Sequence, residues 1–251
     1  MGSFDYDGEL RHYDARLREA ADVQPADHVL DLGCGAGQTT RAAARRAVRG
    51  SALGVDISAG MLARAREAAR DLPNIRFAEA DAQDFPFEPD AFTLAISRFG
   101  TMFFADPAEA FANVARALRP GARLVQLVWQ DRNRQEWAKV IHEALTPDAA
   151  PVAGPAFSLS DPSEVRDLLA GCGFSGVELA DVHEPVWYGP DPDAALAGTL
   201  NLLEAGDRLA GLDTAQRDAA LDRLRAAMAG HHRADGVWFG ARAWLVTARR
   251  A

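Results

Sequence analysis

Val29-Leu30-Asp31-Leu32-Gly33-Cys34-Gly35-Ala36-Gly37 reads as an apolar strand that breaks into a turn of three alternate glycines. Residues 38–48, which follow, have the Ala-rich composition of a helix. Glycines at such a turn let the backbone take conformations closed to other residues and let a ligand lie directly against it. The spacing is Gly-x-Gly-x-Gly, distinct from the Gly-x-Gly-x-x-Gly of dinucleotide binders, where a helix N-terminus holds a pyrophosphate.

Working outward, the same strand and helix alternation continues. Residues 52–56 form a second apolar run, and Ser58 stands as an N-cap before Met61, Leu62, Ala65 and Ala69 at helical spacing. Runs at 75–78, 91–97 and 123–129 predict three further strands. A helix opens at Asp106-Pro107 and is expected to close at Pro120-Gly121. A second Asp-Pro start at Asp161-Pro162 carries Val165, Leu168 and Leu169 as its buried stripe, with Gly171 and Gly173 as stop signals. Residues 177–188 continue the pattern, helical stretches are expected at 193–204 and 214–228, and the last apolar alternation is 237–246. The pattern predicts an α/β protein: a doubly wound, mainly parallel sheet with helices on both faces and a helical insertion before the last strand.

Residues 1–251 read as one domain. The N-terminal helical segment 1–25 and the insertion 190–235 fall outside the alternation. In doubly wound sheets ligands sit over the carboxyl ends of the strands, so these additions are read either as a lid over the pocket or as cover for apolar sheet surface. The Pro-rich stretch 146–155 is expected to be a surface loop.

Composition narrows the partners. Lys+Arg 27 against Asp+Glu 36 leaves a net charge of −9, a field that repels nucleic-acid phosphates and anionic lipid heads. Neither a nucleic-acid nor a membrane partner is expected; the oligomeric state is left open. No window approaches the roughly 18 consecutive apolar residues of a membrane span. Cys34 and Cys172 lack CxxC spacing, and the acidic start of the chain lacks an apolar leader core, so a reducing cytoplasm is expected.

Three carboxylates give the glycine turn its chemistry. Asp31 precedes it, Asp56 ends the second strand and Asp81 follows the third, and all three project toward one sheet edge. Singly, each has an ordinary reading as a loop cap, a turn residue or a solvated acid. Together they would oppose a pyrophosphate and suit a ligand that carries positive charge and hydrogen-bond donors.

The runs VLDLGCGAGQTT (29–40), GVDIS (54–58), AEADAQDFPF (78–87), SRFG (97–100), ALRPGARLV (117–125) and WLVTARR (244–250) together resemble the class I S-adenosylmethionine-dependent methyltransferases of the small-molecule type. The resemblance is densest over 26–129. It implies S-adenosyl-L-methionine as cofactor and methyl transfer to a small organic acceptor by in-line displacement. By the same resemblance Gly33, Gly35 and Gly37 surround the methionine part, Asp31 faces its ammonium and Asp56 takes the ribose hydroxyls. Ile57 and Met61 pack on the adenine, Asp81 and the Ala82 backbone read its edge, and Ser97 and Arg98 approach the methionine end. Tyr13 is read either as closing over the cofactor's carboxylate or as a packing aromatic.

Phe99, Phe103, Trp129, Trp137 and His142 are the substrate-side candidates, with Phe104 in the same aromatic cluster. No catalytic residue is assigned, because displacement at a sulfonium needs positioning more than acid–base help. Where a base is required, His142, His12, Glu136 and Asp131 are the candidates. His231 and His232 are neighbours that point apart on a helix or strand, and Asp131 and Asn133 lack the adjacent Asp-Asn of the metal-dependent catechol methyltransferases, so no metal is expected. The fourth-strand sequence Ser97-Arg98-Phe99-Gly100 lacks the Pro-Pro-aromatic and Pro-Cys motifs of nucleic-acid-modifying relatives. Two other classes are held against this reading: a nicotinamide-dependent oxidoreductase on a related sheet, and a cofactor-binding protein without transfer activity.

Overall fold

The computed structural model describes residues 6–147, 150, 154–202 and 209–251. The first residues of the expected N-terminal segment, half of the Pro-rich stretch and the end of the expected helix at 193–204 lie outside the described residues. The chain divides into two compact units, Asp14–Gln130 with Gly154–Val182 and Ala243–Ala251, and Met1–Tyr13 with Asp131–Ala153 and His183–Arg242.

In the larger unit, β1 (His28–Leu32), β2 (Ser51–Asp56), β3 (Ile75–Glu79), β4 (Phe92–Arg98) and β5 (Leu118–Trp129) are joined by parallel pairings in the order β3-β2-β1-β4-β5. The sheet continues through β8 (Gly236–Arg250) to β6 (Phe174–Gly189), and β8 runs antiparallel to β5 from Arg123↔Arg249 to Trp129↔Ala243. The sheet is therefore mixed and mostly parallel, as the alternation predicts. Its central strands are apolar almost without interruption, as strands buried on both faces must be. Leu30, Leu32, Leu94, Leu124 and Leu127 are completely buried, each stabilising the fold by about 1.5–3 kcal/mol relative to an exposed position. The strand order reverses between β1 and β4, where doubly wound sheets open a crevice for ligands.

Helices follow the predicted signals closely where a cap exists. After the short α1 (Tyr6–Glu9), α2 spans Arg11–Ala21 and α3 spans Gln38–Arg46, beginning after Gly37 in left-handed conformation, and the short β7 (His232–Arg233) pairs with the start of β8. Ser58 caps α4 (Ala59–Ala68) by accepting from the Met61 N–H at 3.4 Å. Asp106 and Asp161 cap α5 (Pro107–Ala117) and α7 (Pro162–Gly171), each with Pro in the first turn.

The expected end of α5 at Pro120-Gly121 is corrected: the helix stops at Ala117, and both residues fall within β5. Leu118 is already extended (φ −87°, ψ 139°) and pairs with Phe92, after which the register shifts across an irregularity that includes Gly121 at φ +78°. Turn residues here mark a bulge at the start of a strand and not the end of a helix.

In the smaller unit the sequence reading omitted α6 (Glu136–Leu145), although Trp137, Val140, Ile141, Ala144 and Leu145 recur at helical spacing. The α8 helix (Pro192–Thr199) starts at its Asp191 cap, and α9 (Thr214–Gly230) opens with a reciprocal capping box between Asp213 and Gln216. Gln135 is fully buried and clasps the Arg242 backbone, accepting from its N–H at 3.1 Å and donating to its C=O at 2.8 Å.

Candidate functional site

The turn after β1 is built on backbone-to-backbone contact. Gly33 has φ +64°, and a Cβ there would lie 2.8 Å from the Gly100 Cα. Ser97 holds the same junction from below: its buried hydroxyl donates to the Leu32 carbonyl at 2.8 Å and accepts from the Gly100 N–H at 3.2 Å. Gly37 (φ +74°) packs against Phe77. Gly35 differs from both, since at φ +54° its nearest neighbour for a Cβ is the flexible end of Met61 at 3.4 Å. Of the three glycines, Gly35 is the one where a Cβ would meet no protein atom nearer than 3.4 Å, and that atom ends a flexible side chain.

Asp31 is completely buried. Thr39 and Thr40, the second and third residues of α3, both donate to its Oδ2 at 2.6 Å, while its Oδ1 has no partner. Burial pushes its carboxyl up to about 6, partly offset by the two threonine hydroxyls and the nearby Arg98 charge, with Asp56 adding to the rise. Gly54 is the strand partner of Asp31, and a side chain there would strike the Cys34 Sγ and the Thr40 Oγ1 within 3 Å. Burial also pushes the Cys34 thiol up, helped by Asp31 and Asp56, which makes Cys34 a packing residue and not a nucleophile.

Asp56 is half-buried and braces the loop itself. Its Oδ2 accepts from the Gly35 N–H at 2.8 Å and its Oδ1 from the Ser58 N–H at 2.9 Å. Beyond it, Ile57 is 75 % exposed, an unusual position for so large an apolar side chain. Ile57, Asp81, Asp84 and Phe85 line an open cleft of about 510 Å³. Asp81 is exposed and accepts from the Gln83 N–H. Ala82 is buried, and its carbonyl, with that of Phe85, is held by the Asn113 amide at 2.8 and 2.9 Å.

Arg98 closes the other side of the β1 turn. Its guanidinium bonds the Gln38 side chain and lies 3.5 Å from Asp14, which also pairs with Arg18 at 2.7 Å. Phe99 takes a left-handed conformation (φ +59°) that bulky residues rarely adopt and stacks on Trp129 with ring centroids 3.8 Å apart. Phe103 is 58 % exposed.

The remaining candidates lie in the smaller unit and are engaged with its own structure. Tyr13 is fully buried and donates its hydroxyl to the Glu184 carbonyl, the arrangement of a packing aromatic. His12 lies against Trp238 in a tilted ring contact, and Asp131 caps the Asn133 N–H. Glu136 accepts from the Gly240 N–H and faces His231, and His142 is buried with its Nδ1 against the Thr146 hydroxyl. Trp137 is half-buried. Among the described residues no group of three or more His, Cys, Asp or Glu could hold a metal ion.

Sequence reasoning missed Thr39, Thr40 and Asn113. The adjacent threonines directly after the last glycine were a signal for the first two. Nothing local marks Asn113, whose importance rests on a loop about thirty residues away.

A mostly parallel sheet with a glycine turn at its switch point, an acid at the end of β2 and an open cleft beyond it defines a nucleotide-type cofactor-binding α/β protein. Residues 29–121 match the family described as a methyltransferase domain. Nocamycin O-methyltransferase of Saccharothrix syringae is 30% identical over 200 residues, covering 73% of this chain and 71% of its own. An uncharacterized 37.1 kDa transposon protein of Streptomyces fradiae is 27% identical over 92% of this chain, which spans only 64% of that relative's length. The crystal structure of the YcgJ protein from Bacillus subtilis shares the fold with a TM-score of 0.65 at 19% identity, over 96% of this chain and 98% of the other. The chain belongs to the class I S-adenosylmethionine-dependent methyltransferases.

Proposed function

We propose that this protein transfers a methyl group from S-adenosylmethionine to a small organic acceptor. The observation that carries the reading is the continuity of the site through Asp56: it bonds the Gly35 N–H of the glycine turn, and its neighbour Ile57 lines the same cleft as Asp81. The residues present fit the cofactor on their own chemistry. The unfilled Oδ1 of Asp31 asks for a donor, the room at Gly35 admits a ligand, and exposed Ile57 offers an apolar surface to a ring.

When bound, S-adenosylmethionine supplies a methyl group on a sulfonium, a good leaving group for in-line displacement. In this reading Asp56 uses the lone pairs left free by Gly35 and Ser58 to accept ribose hydroxyls. Ile57 and Met61 flank the adenine, and Asp81 with the Ala82 backbone reads its edge. Gly33 and Gly37 act by shaping the turn, and Ser97 and Arg98 position the methionine end. The stacked Phe99 and Trp129, with Phe103, suit a flat acceptor, and the nocamycin relative's name favours oxygen as the atom methylated. The chain's contribution to rate is then orientation and exclusion of water. No helix among the described residues is long and apolar enough to cross a membrane. The net charge of −9 and the two free cysteines support an acceptor other than nucleic acid and a cytoplasmic setting.

Calorimetric titration with S-adenosylhomocysteine and with NAD tests the cofactor, and a screen of acceptors with labelled S-adenosylmethionine tests transfer. Binding of NAD in place of S-adenosylhomocysteine would overturn the reading; cofactor binding with no transfer to any acceptor would leave a binding protein. Replacing 190–235 with a short Gly/Ser turn tests a role of the insertion in acceptor selection, with a circular dichroism melt to show that the variant folds. Retained cofactor binding with lost transfer supports that role, and transfer at the parent rate removes it.

A further inference from the structure

We propose that Thr39 and Thr40 are positioning residues for cofactor binding, acting through Asp31, and that occupation of the site is coupled to release of a proton from that carboxyl. The inference rests on the S-adenosylmethionine reading above and deepens it.

Both hydroxyls donate to one oxygen, Oδ2, at 2.6 Å. This has two consequences. The carboxyl cannot rotate without losing two buried hydrogen bonds, so Oδ1 is held as its unfilled acceptor. The hydroxyls also favour the ionised form, in opposition to complete burial, which favours the neutral one. The balance holds the carboxyl near the middle of the ordinary pH range.

The charged and titratable groups that face it are Arg98 at the end of β4, Asp56 at the end of β2 and Cys34 in the turn. Asp14 from α2 stands behind Arg98 and takes part of its charge. A ligand ammonium or a donor ordered by it, brought to the glycine turn, adds positive charge to a set in which the Arg98 charge is shared with Asp14. The carboxyl then ionises, and its proton leaves to solvent. With both threonines on Oδ2, Oδ1 keeps all of its accepting capacity for the ligand, and this placement is what couples the threonines to the ligand.

The test is calorimetric titration of the full chain with S-adenosylhomocysteine, which carries the ammonium, from pH 5 to pH 8 in pairs of buffers that differ in ionisation heat. Affinity is expected to fall about tenfold between pH 7 and pH 5, with net proton release on binding near pH 5.5. Asp31→Asn should bind with no such release. The double variant Thr39→Val/Thr40→Val should begin to lose affinity about one pH unit higher, because the groups that favour ionisation are gone. Thr39→Ser/Thr40→Ser should restore the parent profile. Thr40→Val alone, with a smaller shift in the same direction, serves if the double variant does not fold.

Tight binding that is flat within twofold across this range would overturn the proposal. Proton release that persists in Asp31→Asn, or a folded valine variant with an unmoved midpoint, would overturn it equally. Absence of S-adenosylhomocysteine binding at every pH would instead remove the cofactor reading on which it rests.

Discussion

Asp31 and Asp81 bring the same carboxyl group to the same edge of one sheet and meet opposite surroundings. Asp31 sits inside β1, with no exposed surface and two threonine donors on one oxygen. Asp81 lies two residues beyond β3, exposed, with a single backbone donor from Gln83. A buried carboxylate pays for lost hydration unless donors replace the water, so Asp31 is poised between neutral and charged. An exposed carboxylate keeps its hydration and remains an available acceptor. One residue type thus serves as a charge set by its environment in one place and as a contact surface in the other. The turn between them divides in the same way: Gly33 is held against backbone, and Gly35 meets only the flexible end of Met61.

The largest expected effect breaks the comparison at the glycines. Gly33→Ala places a Cβ 2.8 Å from the Gly100 Cα in a left-handed conformation, and a loss of about 3–5 kcal/mol is expected, read as a fall in melting temperature. Gly35→Ala should lose only about 1–2 kcal/mol, from strain alone, while weakening S-adenosylhomocysteine binding. A Gly33 variant that melts with the parent would show that the β1–β4 junction yields easily.

Asp31→Asn sharpens the buried side. Because the folded-state carboxyl titrates near 6 and the unfolded one near 3.8, its stabilising contribution is complete below pH 3.8 and is lost as pH rises through about 6. The variant should therefore gain on the parent by about 2–3 kcal/mol in unfolding free energy between pH 4 and pH 7.5. A difference that stays constant over this window would mean that Asp31 is solvated.

Asp56 stands between the two cases. Its carboxylate accepts two backbone N–H groups, so Asp56→Ala should lose about 1–3 kcal/mol of stability in denaturant melts. Its affinity for S-adenosylhomocysteine should also fall by about tenfold or more. An affinity loss with no change in stability would mean that the loop does not depend on this brace. The smallest stability effect is expected at Asp81→Ala, within about 0.5 kcal/mol of the parent, with roughly tenfold weaker binding. Reduced stability with unchanged affinity there would exchange the roles given to the two sides of the comparison.

What the sequence alone determined is what depends on local chemistry. The order of the strands and of the helices other than α6 followed from apolar runs of strand or helix period, and helix starts at Ser58, Asp106 and Asp161 followed from capping, because a side chain three residues away decides them. The glycine turn and the acids at 31, 56 and 81 were visible for the same reason. The end of α5 was misplaced because Pro120-Gly121 is a turn signal in either setting, and only pairing of Leu118 with Phe92 makes it a bulge.

The tertiary structure alone decided which acid is buried and which is exposed, since that depends on Gly54 making room for Thr40 beside Asp31, a contact between strands. It also decided that Gly33 is reserved for Gly100 while Gly35 meets only the end of Met61, and that Asn113 holds the Ala82 loop from a helix far along the chain. Burial and hydrogen-bond partnership are set by neighbours distant in sequence, so residue type and spacing could name these groups without assigning their parts.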